Sequence, residues 1–269
     1  MNCCRPVNNN AGTHTGSSDD DDSDSSIIII PDNYNHPSTN EKIVYPKLYE
    51  NHFESLLIPY SIIHQRTKQI ANSILQHYYT NSTQQQEEPQ EPLVIICILK
   101  GSNPFYNLLL SELSLLSVPY ILEFIRVKSY VGNSSSGNVQ IFNHNSSNPN
   151  ANSNENVPKS VKGRNVILVE DIVDTGMTLS KLLPIVQEYG QPKSLQVCTL
   201  LIKRLPSDNH NDDMTRSNGG KIVPKFIGFS IPDKFVVGFG LDYNEMYRDL
   251  RDIWVLGKVG IELGGYGDM

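Results

Sequence analysis

The sequence predicts an α/β fold with a central, mostly parallel sheet that is flanked by helices. A continuous apolar run at Leu93–Leu99 is typical of a strand that is buried on both faces. Strand-like and helix-like segments then alternate along much of the chain, which favours right-handed crossovers and parallel pairing. Such sheets bind their ligands beyond the carboxyl ends of the strands, so polar residues at those ends are the first candidates for function.

The individual elements follow from the spacing of the apolar residues. Residues 55–79 predict a first helix, in which apolar side chains recur at roughly helical spacing: Ile62, Ile63, Ile70, Ile74 and Leu75. Helices are also predicted at 103–116 and at 178–190, where Gly190 closes the helix. Further strands are predicted at 121–127, 165–170, 194–202, 225–231, 235–240 and 252–257.

Polar segments of low periodicity define the domain organisation. Residues 1–40 predict a disordered tail, and residues 41–269 predict a single domain. Within the tail, the isoleucine block Ile27–Ile30 is expected to add either an edge strand or a sticky contact. Polar inserts that are predicted to be surface loops lie near 81–92, 132–158 and 207–220.

The composition excludes several classes of function. The formal net charge of −7 argues against non-specific nucleic-acid binding through a basic face. No apolar run approaches the ~20 residues of a membrane-spanning helix. The four cysteines lack the spacing of a disulfide framework or a zinc site, and Cys97 and Cys198 lie inside apolar runs. We therefore expect a cytoplasmic protein that binds neither nucleic acids nor membranes.

The stretch 166–179, "VILVEDIVDTGMTL", predicts a phosphate site between a strand and a helix. Its turn contains Asp174, Thr175, Gly176 and Thr178, and the free backbone amides of this turn lie at the N-terminus of the helix. The free amides and the helix dipole both favour an anion there, and Gly176 lets the backbone come close to it.

Two adjacent carboxylates, Glu170 and Asp171, precede this turn. Carboxylates at a strand end can accept two hydrogen bonds from a pair of hydroxyls, or can bind a hard cation such as Mg²⁺. A phosphate within a few ångströms of a diol describes a ribose 5-phosphate. The alternative reading of these residues is a strand that is followed by a polar turn with a capping Asp or Thr.

The order of two acidic residues, two apolar residues and then Asp-Thr-Gly-x-Thr resembles the phosphoribosyl diphosphate motif of type I phosphoribosyltransferases. The resemblance implies the fold of that family, in which a small hood region accompanies the central sheet. It also implies that the ribose and the phosphate are bound by Glu170, Asp171, Asp174, Thr175, Gly176, Met177 and Thr178.

Other segments resemble the hypoxanthine-guanine members of that family. The segment "LVIICILKGS" implies that Lys100 and Gly101 contact pyrophosphate, and that the peptide between them can be cis. The segment "EFIRVKSY" leads to Ser129 and Tyr130, which match a catalytic loop that closes over the site. The segment "LLIKR" supplies Lys203, which matches the lysine that hydrogen-bonds the 6-oxo group of the purine.

The segment "IPDKFVVGFGLDYNEMYRDL" resembles the purine-binding end of the same enzymes. Phe235 matches the aromatic residue that stacks on the base, and Val236 matches the residue whose backbone reads the edge of the base. Asp242 matches a carboxylate that lies near the purine and near magnesium. Arg248 matches the arginine at pyrophosphate.

The resemblance implies purine salvage by magnesium-dependent transfer of a phosphoribosyl group from phosphoribosyl diphosphate to hypoxanthine or guanine. Asp174 would take or share the proton of the purine N7. A lysine facing O6 prefers these bases to adenine, whose 6-amino group is itself a donor. Enzymes of this family usually form homodimers or homotetramers. The implied Mg²⁺ ligands are Glu170, Asp171 and Asp242.

The chain departs from the family pattern at several positions. Ser102 replaces a second glycine and is expected to narrow the pyrophosphate loop. Met177 stands where relatives often have lysine, which removes a charge near the phosphate. Ser207 lies where an arginine commonly follows the Lys-Arg-x-Pro stretch. The alternatives are therefore a catalytically weak protein that senses purines or phosphoribosyl diphosphate on the same fold, and an enzyme of this class that uses xanthine.

Overall fold

The computed structural model describes residues 27–34, 45–80, 91–129, 139–143, 156–205 and 224–263. Its strands are β1 (Ile28–Ile29), β2 (Phe53–Ile58), β3 (Leu93–Leu99), β4 (Tyr120–Ser129), β5 (Val139–Asn143), β6 (Asn165–Val173), β7 (Ser194–Arg204), β8 (Phe226–Pro232), β9 (Val236–Val237) and β10 (Ile253–Leu256). Its α-helices are α1 (Tyr60–Leu75), α2 (Asn103–Leu115), α3 (Met177–Gly190) and α4 (Lys258–Leu263). Within these ranges, none of the helices is long and apolar enough to cross a membrane.

The larger sheet has seven strands in the order β1-β8-β7-β6-β3-β4-β5. Neighbouring strands are parallel throughout, except that β4 and β5 are antiparallel. The carboxyl ends of β3, β6 and β7 consequently meet at one edge of the sheet. This sheet and its helices confirm the predicted α/β architecture and bring the predicted phosphate turn next to the loop after β3.

The alternation of side chains along β3 shows how helices cover both faces of the sheet. Leu93, Ile95 and Cys97 pack in one core with residues of α1 and α2, whereas Val94 and Ile96 pack in a second core with residues of α3. All five side chains are fully buried, and burial raises the pKa of the Cys97 thiol to about 12. Packing on both faces fixes the strand ends that carry the polar residues.

A second sheet, in the order β2-β10-β9, forms the predicted small hood region. Both of its strand pairs are antiparallel. It has its own apolar cluster, which includes Tyr247, Leu250 and Trp254, and Phe53 stacks on Trp254 with the ring centroids 4.9 Å apart. This cluster anchors both ends of the loop that connects β9 to β10.

Among the element boundaries that differ from the prediction, two show how the backbone sets them. Residues 55–58 belong to β2 and not to the first helix, because Pro59 has an extended backbone and α1 begins only at Tyr60. The strand predicted at 235–240 is limited to two residues, because Gly238 and Phe239 have left-handed φ angles of +98° and +50°. Both differences arise from backbone conformation that apolar spacing does not reveal.

The end of α3 also differs from the prediction. The left-handed residue after the helix is Gln191, with φ of +50°, and not Gly190. Gly190 is instead required by packing, since a Cβ atom there would lie 2.6 Å from Val161 Cγ1.

Residues 27–34, which the sequence groups with the tail, include an edge strand. Ile28–Ile29 pairs in parallel with β8. The Arg204 guanidinium donates hydrogen bonds to Ile30 O at 2.6 Å and to the Asp32 carboxylate. Of the two expectations for the isoleucine block, the edge strand is the one observed. Residues 1–26 lie outside the described residues.

One polar insert contains a strand. β5 lies within the insert predicted near 132–158 and pairs with the end of β4. The described residues include only 139–143 and 156–158 of this insert, only 91–92 of the insert near 81–92, and none of the insert near 207–220.

Candidate active site

The predicted phosphate turn joins β6 to α3. Gly176, with φ of +70°, precedes Met177, the first residue of α3, and glycine adopts this left-handed conformation without a Cβ penalty. Gly176 has no side chain that could cap α3, and the Met177 amide makes only a long hydrogen bond, of 3.4 Å, to Thr175 Oγ1. The first amides of the helix are thus available to an anion, which the helix dipole also favours. Asp174, Thr175 and Thr178 are exposed along this turn.

Ser102 makes hydrogen bonds to both acidic residues near the end of β6, to the side chain of one and to the backbone of the other. Its hydroxyl donates to Glu170 Oε2 at 3.3 Å and accepts from the Asp171 amide at 3.1 Å. Asp171 Oδ1 also accepts from the Ile172 amide at 2.8 Å. Ser102 is only 1% exposed, so the side chain that was expected to narrow the pyrophosphate loop instead positions the acidic pair.

This acidic pair is unfavourable in its ionised form. Burial raises the pKa of Glu170 well above its usual value, and the charge of Asp171 raises it further. Burial also raises the pKa of Asp171 to about 6, although neighbouring amides and the Arg248 charge lower it. A bound cation or a donating hydroxyl pair would compensate for this charge.

The loop after β3 packs directly against the acidic pair. A Cβ atom on Gly101 would overlap the Asp171 carboxylate, so only glycine fits at this position. Gly240 in turn packs against the Gly101 carbonyl and has φ of +97°. The cis peptide of this loop joins Leu99 to Lys100, which is one residue before the peptide that the resemblance implies.

The predicted pyrophosphate-binding cations are paired with carboxylates of the loop between β9 and β10. Arg248 Nη2 lies 2.8 Å from Asp242 Oδ1 and 3.4 Å from Glu245 Oε1. Arg248 Nη1 donates to Gly240 O at 2.8 Å. Lys100 Nζ lies 2.8 Å from Glu245 Oε2, and this hydrogen bond is the main cause that lowers the pKa of Glu245. Glu245 therefore bridges both cations.

The predicted purine residues begin with an ion pair between Lys203 and Asp174. Lys203 lies at the end of β7, with Nζ 3.1 Å from Asp174 Oδ2 and 3.9 Å from Asp233 Oδ1. The Lys203 side chain is 11% exposed and that of Asp174 is 49% exposed. The lysine is thus held in the structure, while the carboxylate is accessible to a ligand.

Phe235 and Val236 lie at the outer edge of the small sheet. The Phe235 ring is 46% exposed, and Tyr243 supports it edge-on with the ring centroids 5.2 Å apart. The Leu256 amide donates to Phe235 O at 2.9 Å, so the carbonyl of Phe235 faces β10. The peptide groups of Val236 are consequently directed away from β10, and the Phe235 ring is open to stacking.

Most of the predicted ribose, phosphate and pyrophosphate residues, together with Asp242, which was predicted to lie near the purine and Mg²⁺, line a single cleft of about 360 Å³. These residues are Lys100, Gly101, Glu170, Asp171, Met177, Thr178, Asp242 and Arg248. Asp174 belongs to the same turn as Met177 and connects it to Lys203. The backbone of Ser129 ends β4, whereas its side chain and all of Tyr130 lie outside the described residues.

Sequence reasoning missed Lys181, Asp233 and Glu245. Lys181 lines the cleft, and its position four residues after Met177 on a helix could have identified it. Asp233 and Glu245 lie in polar surroundings along the chain and give no sequence signal that separates them from ordinary surface carboxylates.

The carboxylates of the cleft fit the chemistry of Mg²⁺. Within the described ranges, no group of three or more His, Cys, Asp or Glu side chains is arranged to hold a metal ion by itself. Mg²⁺, however, usually takes one or two carboxylates and keeps waters and substrate phosphates as its other ligands. Glu170 and Asp171 supply such a pair, and the charge of Asp242 also raises the pKa of Asp171.

The chain that forms this cleft is similar to proteins of a known family. Residues 62–244 match the model of the phosphoribosyl transferase domain. The chain is 35% identical over 221 residues to the hypoxanthine-guanine phosphoribosyltransferase of Homo sapiens, which covers 80% of this chain and 86% of that protein. The enzyme of the same name from Mus musculus is 34% identical over 221 residues, with the same coverage.

Solved structures show the same similarity. The hypoxanthine-guanine phosphoribosyltransferase of Schistosoma mansoni in complex with IMP is 25% identical, covers 89% of this chain and 99% of that chain, and has a TM-score of 0.63. The Trypanosoma cruzi hypoxanthine phosphoribosyl transferase is 33% identical, covers 81% and 98%, and has a TM-score of 0.63. These structures confirm the fold that the sequence predicts.

Replacement of Asp171 with Asn is expected to stabilise the ligand-free protein above neutral pH. The pKa of Asp171 in the fold is about 6, against an ordinary value of 3.8, so the folded state binds this proton more tightly than the unfolded chain does. The ionised carboxylate therefore costs stability above pH 6, and this cost disappears as the pH falls through 6 towards 4. Urea unfolding in the presence of EDTA should show a larger gain for Asp171→Asn at pH 8 than at pH 4.5.

The matched control is Glu188→Gln, which removes one carboxylate from the exposed surface of α3. It should change the free energy of unfolding little at either pH. An equal gain for both variants, or a gain for Asp171→Asn that does not depend on pH, would contradict the conclusion that the ionised acidic pair destabilises the fold.

Proposed function

This chain belongs to the phosphoribosyl transferase family, and we propose that it transfers a 5-phosphoribosyl group from phosphoribosyl diphosphate to hypoxanthine or guanine. The products would be IMP or GMP and pyrophosphate, and the reaction would depend on Mg²⁺ and serve purine salvage. The names of the human and mouse relatives, and the IMP bound to the Schistosoma relative, support this proposal. The arrangement of Lys203 and Asp174 is the observation that carries it.

The Lys203–Asp174 pair matches the O6–N7 edge of an oxopurine. O6 and N7 lie side by side on this edge, and in the free base O6 is an acceptor while N7 can carry the proton that the ring loses when N9 bonds to ribose. Since Lys203 Nζ and Asp174 Oδ2 are 3.1 Å apart, the lysine could donate to O6 while the carboxylate shares a proton with N7. Adenine would direct its amino donor at the lysine, so the site favours hypoxanthine and guanine.

Phe235 and Val236 would hold the same base on its face and on its other edge. The open ring of Phe235 can stack on any purine, and such stacking contributes about 1–3 kcal/mol. The outward peptide groups of Val236 can hydrogen-bond the edge of the base that lies opposite N7. Asp242 lies on the loop between β9 and β10 and would add a carboxylate to the purine-binding side of the site.

Lys100, Gly101 and Arg248 would bind the departing pyrophosphate. As the C1–O bond breaks, its electron pair leaves with pyrophosphate and the ribose becomes oxocarbenium-like. Positive groups that are already in place at this leaving group stabilise the transition state without reorganisation. In the ligand-free protein, Lys100 and Arg248 both contact Glu245, so pyrophosphate would replace this carboxylate.

Glu170, Asp171 and Asp242 would hold Mg²⁺ and orient the ribose hydroxyls. When bound, the ion would neutralise part of the charge of the diphosphate. The raised pKa values of Glu170 and Asp171 support this role, because a nearby cation or hydroxyl donor would relieve the repulsion between them.

The new bond would form between ribose C1 and N9 of the base, while Asp174 accepts the proton from N7. The exposure of Asp174 at the mouth of the phosphate turn supports this role. We retain Ser129 and Tyr130 as the residues that close over the site and exclude water, which would otherwise hydrolyse the donor.

We also propose that the protein acts in the cytoplasm as a homodimer or homotetramer. Cys97 and Cys198 are free and buried, which suits a reducing compartment. The assembly is carried over from the family resemblance. Residues 41–269 would form the catalytic domain, to which 27–34 contribute the edge strand.

Steady-state kinetics with hypoxanthine, guanine, xanthine and adenine would test the proposed function. With phosphoribosyl diphosphate and Mg²⁺, hypoxanthine and guanine should give IMP and GMP. Adenine should show a kcat/KM lower by roughly 100-fold or more, because its amino group leaves two donors facing each other. Purine binding without product would favour the sensing protein, and dominant turnover of xanthine would favour the xanthine enzyme.

The variant Asp174→Asn should lower kcat by about 100-fold or more, because an amide cannot accept the N7 proton. The KM for phosphoribosyl diphosphate should change little, since the backbone amides of the turn remain. Asp233→Asn is the matched control, because Asp233 also lies near Lys203 but at 3.9 Å, and it should retain most of kcat. An unchanged kcat for Asp174→Asn would remove this residue from the proton-accepting role.

The variant Phe235→Ala should raise the KM for hypoxanthine and guanine roughly tenfold or more through the loss of stacking. The control is Tyr189→Ala, which removes another exposed aromatic side chain, 42% accessible, from α3. The KM for phosphoribosyl diphosphate, measured in parallel, should be similar in both variants. If the KM for the base stays at the wild-type value in Phe235→Ala, the ring does not stack on the purine.

A further inference from the structure

The cleft contains a third cation, Lys181, beside Lys100 and Arg248. Those two are paired at 2.8 Å with Glu245 and Asp242, respectively. Lys181 is partly buried, and no side chain in the described parts of the chain forms an ion pair with it. Among the described lysine and arginine residues that line the cleft, it is therefore the one that still needs a counter-ion.

The geometry of α3 directs Lys181 towards the phosphate turn. Lys181 follows Met177 by four residues, and side chains at this spacing share one helix face with Cβ atoms about 5–6 Å apart. Met177 and Thr178, which belong to the turn, line the same cleft. Helical side chains also tilt towards the N-terminus of their helix, so the long stem of Lys181 carries its amine towards the turn.

The electrostatics of the helix end also favour an anion near Lys181. A cation that tilts towards the N-terminus of a helix is unfavourable, because the helix dipole places positive charge there. At this helix end Gly176 provides no capping side chain, and the Met177 amide makes only a 3.4 Å hydrogen bond to Thr175 Oγ1. A phosphate at the turn would satisfy the amides and the lysine together.

We propose that Lys181 binds the 5′-phosphate of the phosphoribosyl group and supplies the charge that Met177 lacks. This inference rests on the proposed function and adds a contact that differs from the backbone amides of the turn. Met177 stands where the family resemblance implies a lysine, and Lys181 returns one positive charge to the same face of α3, one turn later.

Calorimetric binding of IMP and of inosine would test this contact, because the two ligands differ only in the 5′-phosphate. Lys181→Met should weaken IMP binding on the order of tenfold, as expected for a charge-assisted hydrogen bond, and should leave inosine binding unchanged. The KM for phosphoribosyl diphosphate should rise by a similar factor, with a smaller change in kcat. Lys68→Met, which removes an exposed lysine from α1, is the matched control and should change neither affinity.

A charge-relocation variant separates the charge of Lys181 from its packing. In the double variant Met177→Lys with Lys181→Met, the lysine moves one turn closer to the N-terminus on the same face. IMP affinity should return to within a few-fold of the wild-type value. Failure of this rescue, with the melting temperature unchanged, would overturn a role based on charge.

Two other results would also overturn the proposal. One is equal weakening of IMP and inosine in Lys181→Met together with a lower melting temperature, which would indicate a structural role. The other is weaker inhibition by pyrophosphate with unchanged IMP binding, which would move Lys181 to the pyrophosphate. If the wild type binds IMP through Lys181 but makes no IMP from hypoxanthine, the phosphate contact stands and the proposed reaction fails.

Discussion

The repulsion between Glu170 and Asp171 is the interaction on which the rest of the site depends. These carboxylates are adjacent at the end of β6, a strand that is covered by helices on both faces. Burial raises the pKa values of both groups, and the charge of Asp171 raises the pKa of Glu170 further. Stability alone does not favour such a pair, because each ionised group in it destabilises the other. A cation or a diol that bound to the pair would therefore lower the free energy of the ionised carboxylates.

The neighbours of the pair are arranged to keep this charge in position without neutralising it. Ser102 supplies one hydroxyl to both residues, and Gly101 leaves room for the Asp171 carboxylate where any Cβ would overlap it. Arg248 lowers the pKa of Asp171, yet its direct ion pairs go to Asp242 and Glu245. The acidic pair thus stays accessible, while the surrounding loops are fixed by close packing.

How much the sequence predicts depends on whether a feature leaves a local signal. β3 was predicted with its observed limits, because a short continuous apolar run leaves few alternatives for a two-sided strand. The turn between β6 and α3 was predicted because a strand, a glycine and a helix follow one another directly. β2 was missed because Leu56, Leu57 and Ile58 fit both a strand and a helix, and only the backbone at Pro59 decides between them. Glu245 was missed because its left-handed backbone, with φ of +65°, places it beside Lys100. A glutamate in the sequence does not indicate that conformation.

In the ligand-free site, cations form ion pairs with carboxylates that a substrate can replace. Lys203 with Asp174, and Lys100 with Glu245, each join a site cation to a carboxylate that is 49% or 64% exposed. An ion pair whose carboxylate is open to solvent contributes little to stability, so a ligand that brings its own anion or acceptor can replace the carboxylate at little cost. The partly buried acidic pair behaves differently, since neither carboxylate can leave the strand end. Under the proposed function, the affinity for the sugar phosphate should therefore depend mainly on how well the ligand compensates the charge of Glu170 and Asp171. The exchangeable pairs should mainly keep the cations oriented towards the site until the ligand binds.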